Sequence, residues 1–220
     1  MPSEGIIRFP AMGDWGGTEY LNYYVPTQEW NAELMDDLCA NNTCDMLVSL
    51  GDNFYETGVK NIEDPRWKIV FENVYGRWSH RENVKNLDFW QIMGNHDWRG
   101  NQTAQVDYMY QVPDSNFKMP AFYYTLEIEK TPDLSMKLIM IDTMIMMNAG
   151  EISKLPDSDI RDYQQEQNEW LEKELENCFA TYCIVAGHHP MYSIGVHGPT
   201  SQLLKYLQPM LVSCKQKFRI

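Results

Sequence analysis

The sequence predicts an α/β fold in which short buried strands alternate with amphipathic helices. Two observations lead to this prediction. Short apolar runs typical of buried strands recur along the chain, separated by stretches with helical periodicity. Four of these runs also end in a glycine that is followed by a polar residue. Polar side chains at the carboxyl ends of strands converge on one edge of such a sheet, which is where α/β proteins bind their ligands.

Composition sets broad limits on what the protein binds. With 220 residues and 44% hydrophobic residues, the chain is long enough for a substantial core, and we expect a single domain spanning residues 1–220. The net charge of −13 argues against binding to nucleic acid or to an anionic membrane surface, because both need a basic face. No apolar run approaches the ~20 residues of a membrane span. We expect a monomer.

Strands are predicted where an apolar run is short and bounded by turn signals. These runs cover residues 6–12, 46–48, 89–93, 122–128, 136–141 and 183–186. The fourth and fifth flank Thr131-Pro132-Asp133, so we expect them to form a hairpin. The fifth run ends in Asp142 without a glycine turn, and we interpret Asp142 as a structural residue.

Helices are predicted where apolar side chains recur every three or four residues. These segments cover residues 28–40, 64–75, 159–178 and 199–207. Thr27 is expected to cap the first helix, on which Trp30, Leu34 and Leu38 form one apolar face. The second begins at Asp64-Pro65, a capping residue followed by proline at the first helical position.

Five residues at or near the predicted strand ends have the chemistry of metal ligands. They are Asp14, Asp52, Tyr55, Asn95 and His188. Carboxylates and a phenolate suit trivalent iron, whereas an amide oxygen and an imidazole suit a divalent ion. We predict that Asp52 bridges two ions. Such a pair of ions generates hydroxide from water and orients a phosphoester for in-line attack.

Two histidines are candidates for substrate binding and proton transfer rather than for metal coordination. His96 follows Asn95 directly, and His197 lies in a polar segment near the last helix. Both are predicted to contact the substrate and to protonate the leaving alcohol. Taken singly, each of these residues has an ordinary explanation as a turn, cap or loop residue, and only their joint order favours a site.

Two Asn-x-Thr sequons begin at Asn41 and Asn101, and they are predicted to carry glycans. They favour a secreted or lysosomal protein, although the polar start of the chain shows no signal peptide. Five cysteines leave at least one unpaired. The polar loop over residues 147–158 is expected to overhang the site.

The strand-end motifs resemble one known family. They are Gly13-Asp14-Trp15-Gly16-Gly17, Gly51-Asp52-Asn53-Phe54-Tyr55, Gly94-Asn95-His96-Asp97, Val185-Ala186-Gly187-His188 and His197-Gly198-Pro199-Thr200. Over about residues 6–212 the chain is similar to the small purple acid phosphatases of the tartrate-resistant type. The resemblance implies a sandwich of two mixed β-sheets flanked by helices, the metallophosphoesterase fold.

The resemblance also implies a site and an activity. Ferric iron would be held by Asp14, Asp52 and Tyr55, and a second iron or zinc by Asp52, Asn95 and His188. A protein of this family hydrolyses phosphomonoesters at acid pH, in lysosomes or outside the cell. Small phosphomonoesters or phosphoproteins are the expected substrates.

One departure from the family pattern leaves alternatives open. The family continues into a Gly-His-x-His motif that gives one histidine to each metal, and the sequence reaches Ile220 without it. We therefore expect a truncated chain whose sheets lack their C-terminal strands. The alternatives to a phosphatase are an interaction module that keeps the fold but binds metal poorly, and a metal-dependent nuclease or cyclic phosphodiesterase.

Overall fold

The computed structural model describes residues 5–18, 23, 25–148 and 157–214. The chain forms two compact units, residues 1–122 and 123–220, which are taken in turn below. The single domain expected over residues 1–220 stays a prediction. Most of the loop predicted over residues 147–158 lies outside the described residues.

The first unit contains a sheet of four parallel strands in the order β1-β2-β3-β4. The strands are β1 (Ala11–Met12), β2 (Leu47–Ser49), β3 (Phe89–Trp90) and β4 (Phe117–Lys118). β2 is fully buried, as expected of a central parallel strand. Because all four strands run in the same direction, their carboxyl ends share one edge. The strands predicted over residues 6–12 and 89–93 are each only two residues long in the structure.

Helical segments of the first unit follow the sheet strands in the chain. They are α1 (Pro26–Asn42), a π-helical turn (Trp67–Glu72), a 3-10 turn (Asp97–Arg99) and α2 (Ala104–Gln111). The periodicity of the segment predicted as the second helix places four apolar side chains on its inward face, and all four are buried: Trp67, Val70, Phe71 and Val74. The sequence reasoning did not predict α2 or β4.

The predicted apolar face of α1 is wrong. Trp30, Leu34 and Leu38 are 68%, 58% and 47% exposed, and the buried side chains include Ala32 and Cys39 instead. Met35 and Gln28 complete this buried face, which lies on the other side of the helix from the predicted one. The predicted cap is also wrong, because the helix begins two residues earlier than predicted, at Pro26, and the extended residue before it is Val25.

The second unit contains a mixed sheet of three strands. Its elements are β5 (Tyr124–Thr131), β6 (Leu134–Met140), α3 (Thr143–Met147), α4 (Asp157–Glu176), β7 (Tyr182–Ala186) and α5 (Ser201–Cys214). β5 and β6 form the predicted antiparallel hairpin, and β7 pairs with β6 in parallel. Asp142 has the expected structural role, since its carboxylate accepts hydrogen bonds from the first backbone amides of α3.

The α/β class with two sheets and flanking helices is confirmed, with one sheet parallel and the other mixed. Two disulfides lie where a helix leads into the next strand: Cys39 of α1 pairs with Cys44 in the segment before β2, and Cys178, just after α4, pairs with Cys183 of β7. Among the described helices, none combines the length and the apolar character that a membrane span requires.

Candidate metal centre

Two of the predicted ligands sit on sharp turns at the carboxyl edge of the parallel sheet. Asp14 follows β1 and Asp52 follows β2, and both have a left-handed backbone with φ of 57° and 54°. The Asp14 amide donates to the Gly51 carbonyl at 2.9 Å, which ties the two turns together. Non-glycine residues rarely adopt this conformation, and such strain of about 1 kcal/mol or more clusters at functional sites.

Tyr55 brings the two carboxylates together. Its hydroxyl lies 2.9 Å from Oδ1 of Asp14 and 2.9 Å from Oδ2 of Asp52, and carboxylate oxygens of the two aspartates lie within 4.8 Å of each other. The single hydroxyl proton can serve only one of them at a time. Burial, and then the negative charge of Asp52, raise the pKa of Tyr55 far above its ordinary value, and Asp14 adds to the effect.

The three oxygen atoms fit a hard cation. An octahedral ion with metal–oxygen distances of about 2.1 Å has neighbouring ligand oxygens about 3.0 Å apart. The two 2.9 Å separations between Tyr55 and the carboxylates match that spacing. A cation placed among these oxygens would replace the phenolic proton and neutralise the two carboxylates, so the donor set suits a trivalent ion.

His96 adjoins this cluster. Its backbone amide donates to Oδ1 of Asp52 at 2.9 Å, so each oxygen of that carboxylate has a separate partner. The imidazole Nδ1 lies 2.7 Å from the carbonyl oxygen of Glu56, which can only accept, and 3.1 Å from Nη1 of Arg99, which can only donate, so these contacts do not select one tautomer. Nε2 lies 4.0 Å from Oδ2 of Asp52, and the ring packs edge-on against Tyr55.

The loop after β3 packs closely against the Asp52 turn. A Cβ on Gly94 would lie 2.5 Å from the backbone nitrogen of Asp52 and would collide with its carboxylate. Only glycine allows this approach. Asn95, the next predicted ligand, is half-buried between Gly94 and His96 in this loop.

His188 and His197 belong to the second unit. His188 follows β7 at a glycine turn, is half-buried, and packs edge-on against His189, whose Nδ1 lies 2.8 Å from Oγ1 of Thr143. His197 lies on an exposed turn before α5. The structure therefore brings Asp14, Asp52, Tyr55 and His96 together within the first unit. Roles for the two histidines of the second unit stay predictions.

Sequence reasoning gave no separate role to Asp97, the last residue of the Asn-His-Asp motif. Its carboxylate is buried and accepts hydrogen bonds from the amides of Gly94, Asn53 and Phe54. Burial is the main cause that raises the pKa of Asp97 to about 6, with a contribution from the charge of Asp52, while these hydrogen bonds oppose the rise. The sequence signal that could have identified Asp97 was its position in the Asn-His-Asp motif.

The fold and the site define a class, an α/β protein with carboxylate and phenol groups gathered where parallel strands end. Comparison with known proteins makes that class specific. The family model described as calcineurin-like phosphoesterase matches residues 7–212, so the chain belongs to the calcineurin-like phosphoesterase family.

Similar curated proteins include acid phosphatases. Tartrate-resistant acid phosphatase type 5 of Homo sapiens is 35% identical over 211 residues, which covers 94% of this chain and 63% of that protein. Purple acid phosphatase 4 of Arabidopsis thaliana is 30% identical over 220 residues, which covers 96% of this chain and 60% of that protein. The chain thus spans less than two thirds of the length of these relatives.

Two solved structures have a similar fold, and one is described as an anchor whereas the other is described as a phosphatase. A structure described as GAP50, the anchor in the inner membrane complex of Plasmodium, matches with a TM-score of 0.78 and 29% identity, and covers 95% of this chain and 63% of that chain. A dimetal phosphatase from Danio rerio matches with a TM-score of 0.50 and 11% identity, over 93% of this chain and 77% of that chain, a likeness of fold alone.

Proposed function

We propose that this protein is an acid phosphatase that hydrolyses phosphomonoesters at a binuclear metal site. The observation that carries the proposal is the convergence of the Tyr55 hydroxyl on the carboxylates of Asp14 and Asp52, at 2.9 Å from each. In the proposed site these three residues hold ferric iron. A second iron or zinc ion would be held by Asp52, Asn95 and His188. The acid phosphatases among the similar proteins support this assignment.

When bound, the ions would supply an activated water molecule and neutralise the charge on the phosphoryl oxygens. The residues of the chain then have distinct tasks. The Asp52 carboxylate, whose Oδ1 accepts from the His96 amide, is oriented before substrate arrives. Asp52 is buried and Tyr55 is half-buried, which limits the water around the Asp52 carboxylate and strengthens electrostatic contacts there.

His96 is proposed to handle the proton of the leaving group. Its Nε2 lies on the side of the ligand cluster, 4.0 Å from Oδ2 of Asp52, and is the nitrogen from which a proton would be transferred. From there it could be donated to a departing alcohol oxygen. His197, in the second unit, is proposed to contact the substrate.

The test combines metal loading with turnover. Ferric-loaded protein should show a phenolate-to-iron absorption band that Tyr55→Phe abolishes, and should hydrolyse p-nitrophenyl phosphate at acid pH. His96→Asn should keep the band and lose at least about 100-fold in kcat. Equal or faster turnover of the diester bis(p-nitrophenyl) phosphate would favour a phosphodiesterase instead. Absence of both metal and turnover, including in a chain extended by a Gly-His-x-His segment, would refute the proposal.

A second candidate function is an interaction module that keeps the fold without catalysis. The specific observation in its favour is the match to the Plasmodium structure described as an anchor, at a TM-score of 0.78. A stable, folded chain with neither colour nor hydrolysis would support this candidate.

We also propose that the protein is lysosomal or secreted, with glycans at Asn101 and Asn41. Two disulfides are typical of an oxidising compartment. Both asparagines are exposed, and Asn101 accepts a hydrogen bond from the backbone amide of Thr103. Glycosidase treatment of protein from a secretory host should change its electrophoretic mobility, and Asn101→Gln should remove part of that change. No mobility difference would refute the glycans.

A further inference from the structure

A continuous series of buried polar side chains lies next to the candidate ligands of the first unit. The indole Nε1 of Trp15 donates to Oγ of Ser49 at 2.7 Å, and that hydroxyl donates to Oδ1 of Asn53 at 2.6 Å. Nδ2 of Asn53 donates to Oε1 of Gln105 at 2.9 Å, and Nε2 of Gln105 donates to Oδ1 of Asp97 at 2.8 Å. All five side chains are buried.

The directions of these hydrogen bonds are fixed by chemistry. Nδ2 of Asn53 also lies 2.8 Å from the carbonyl oxygen of Ile92, which can only accept. Oδ1 of Asn53 must therefore accept from Ser49, and the Gln105 amide must present its oxygen to Asn53 and its nitrogen to the Asp97 carboxylate. The series is thus a buried network in which each member satisfies the next.

The network ends on the backbone of two ligand turns. The Asp97 carboxylate accepts from the amide of Gly94 at 2.9 Å and from the amides of Asn53 and Phe54 at 3.0 Å and 3.1 Å. Gly94 leads directly into Asn95, and Asn53 follows Asp52. One carboxylate therefore fixes the spacing between the turn after β2 and the loop after β3.

Gln105 is the member that ties this network to a separate element. It lies on α2, whereas the other four members lie on β2 or in the turns and the loop at the carboxyl ends of the strands. Fully satisfied buried networks specify one arrangement of the groups that they connect. A left-handed aspartate such as Asp52 persists only where its surroundings determine it strongly.

We propose that Gln105 is a positioning residue for the metal centre, acting through Asn53 and Asp97 on the turns that carry Asp52 and Asn95. The proposal rests on the proposed function in that it takes these residues to be metal ligands. Groups that orient metal ligands typically change metal affinity by about 10- to 100-fold when they are lost.

The test compares two buried glutamines of the first unit. Gln105→Met removes both amide hydrogen bonds at nearly constant side-chain length. Gln28→Met is the matched control, since Gln28 on α1 is also buried and donates Nε2 to the Val70 carbonyl at 2.8 Å. We expect Gln105→Met to raise the ferric dissociation constant about 10- to 100-fold and to shift the phenolate absorption band. Gln28→Met should leave both unchanged, and equal effects of the two would overturn the proposal.

Two further measurements keep the proposal decidable. If Gln105→Met does not fold, Ser49→Ala breaks the network at its other end and should weaken ferric binding in the same direction. If neither the wild-type chain nor a chain extended by a Gly-His-x-His segment binds ferric ion or turns over substrate, the proposed function fails, and hydrogen exchange of the metal-free chain then decides whether Gln105 orders the two turns. Exchange at the amides of Gly94 and Asn53 should be about 10-fold faster in Gln105→Met than in Gln28→Met. No difference would overturn the proposal.

Discussion

Replacement of Asp14 by asparagine should make the metal-free protein more stable while weakening its metal site. Asparagine tolerates the left-handed backbone found at this position, where φ is 57°, and keeps an oxygen that can accept from Tyr55. What changes is the charge. Removing one of two carboxylates that share a single hydroxyl proton relieves their mutual repulsion.

The size of the gain follows from the distance between the two carboxylates. At 4.8 Å, the upper limit of their separation, unit charges repel by about 0.9 kcal/mol in water and about 3.5 kcal/mol at an effective dielectric constant of 20. Asp14 is exposed, so solvent screening favours the lower figure. We therefore expect Asp14→Asn to raise the free energy of unfolding of the metal-free chain by about 1 kcal/mol.

Ferric ion should stabilise the wild type more than it stabilises Asp14→Asn, the reverse of the difference expected without metal. At 100 times its dissociation constant the ion would stabilise the wild type by about 2.7 kcal/mol. A 10- to 100-fold loss of affinity in Asp14→Asn would reduce that to about 1.4 to 0.4 kcal/mol.

Urea unfolding with and without ferric citrate measures both effects, and Asp37→Asn on the exposed surface of α1 controls for net charge. A destabilised metal-free Asp14→Asn, or undiminished stabilisation by ferric ion, would refute the reasoning.

Three other substitutions probe the packing around the site and the rest of the fold. Gly94→Ala should lower ferric affinity more than about 10-fold in equilibrium dialysis, because the new Cβ would displace the Asp52 carboxylate. Replacing Cys39 and Cys44 together by serine should lower the free energy of unfolding by only about 2 kcal/mol, because the two cysteines are five positions apart and the loop that they close is short. Burial raises the pKa of Asp64, but hydrogen bonds from the buried guanidinium of Arg66 outweigh this effect and leave the pKa below its usual range. The stabilisation from this ion pair should be present above about pH 4 and lost as the pH falls further. Asp64→Asn should abolish that pH dependence in urea titrations.

The proximity of the two carboxylates and the phenol in the first unit could be predicted because its signals are local. Glycine followed by aspartate after a short apolar run determines a turn whose side chain leaves the sheet edge, and parallel strands bring such edges together. Asp14 and Asp52 needed no knowledge of distant contacts. Tyr55, three residues after Asp52, follows from the same turn.

The buried network could not be predicted in the same way. Gln105 is in a helix of eight residues, too short to give a clear periodic pattern, and its hydrogen bond to Asn53 joins residues 52 positions apart. A glutamine in sequence also gives no sign of being buried, because most glutamines are exposed. Only tertiary structure identifies this residue as a partner of the ligand turns.

The apolar face of α1 shows a different limit of prediction from sequence. Helical periodicity tells which residues share a face but not which face is buried. The exposed fractions of Trp30, Leu34 and Leu38 leave about a third to a half of each side chain buried. At about 2 to 3 kcal/mol for full burial, the three together should contribute about 2.5 kcal/mol, against about 7 kcal/mol for a fully buried face. Replacing all three by glutamine should therefore cost about 2.5 kcal/mol or less in urea unfolding, whereas Met35→Ala alone, on the buried face, should cost about 2 to 5 kcal/mol. A triple variant that loses 6 kcal/mol or more, roughly the value for a buried face, would show that the predicted face is the packed one.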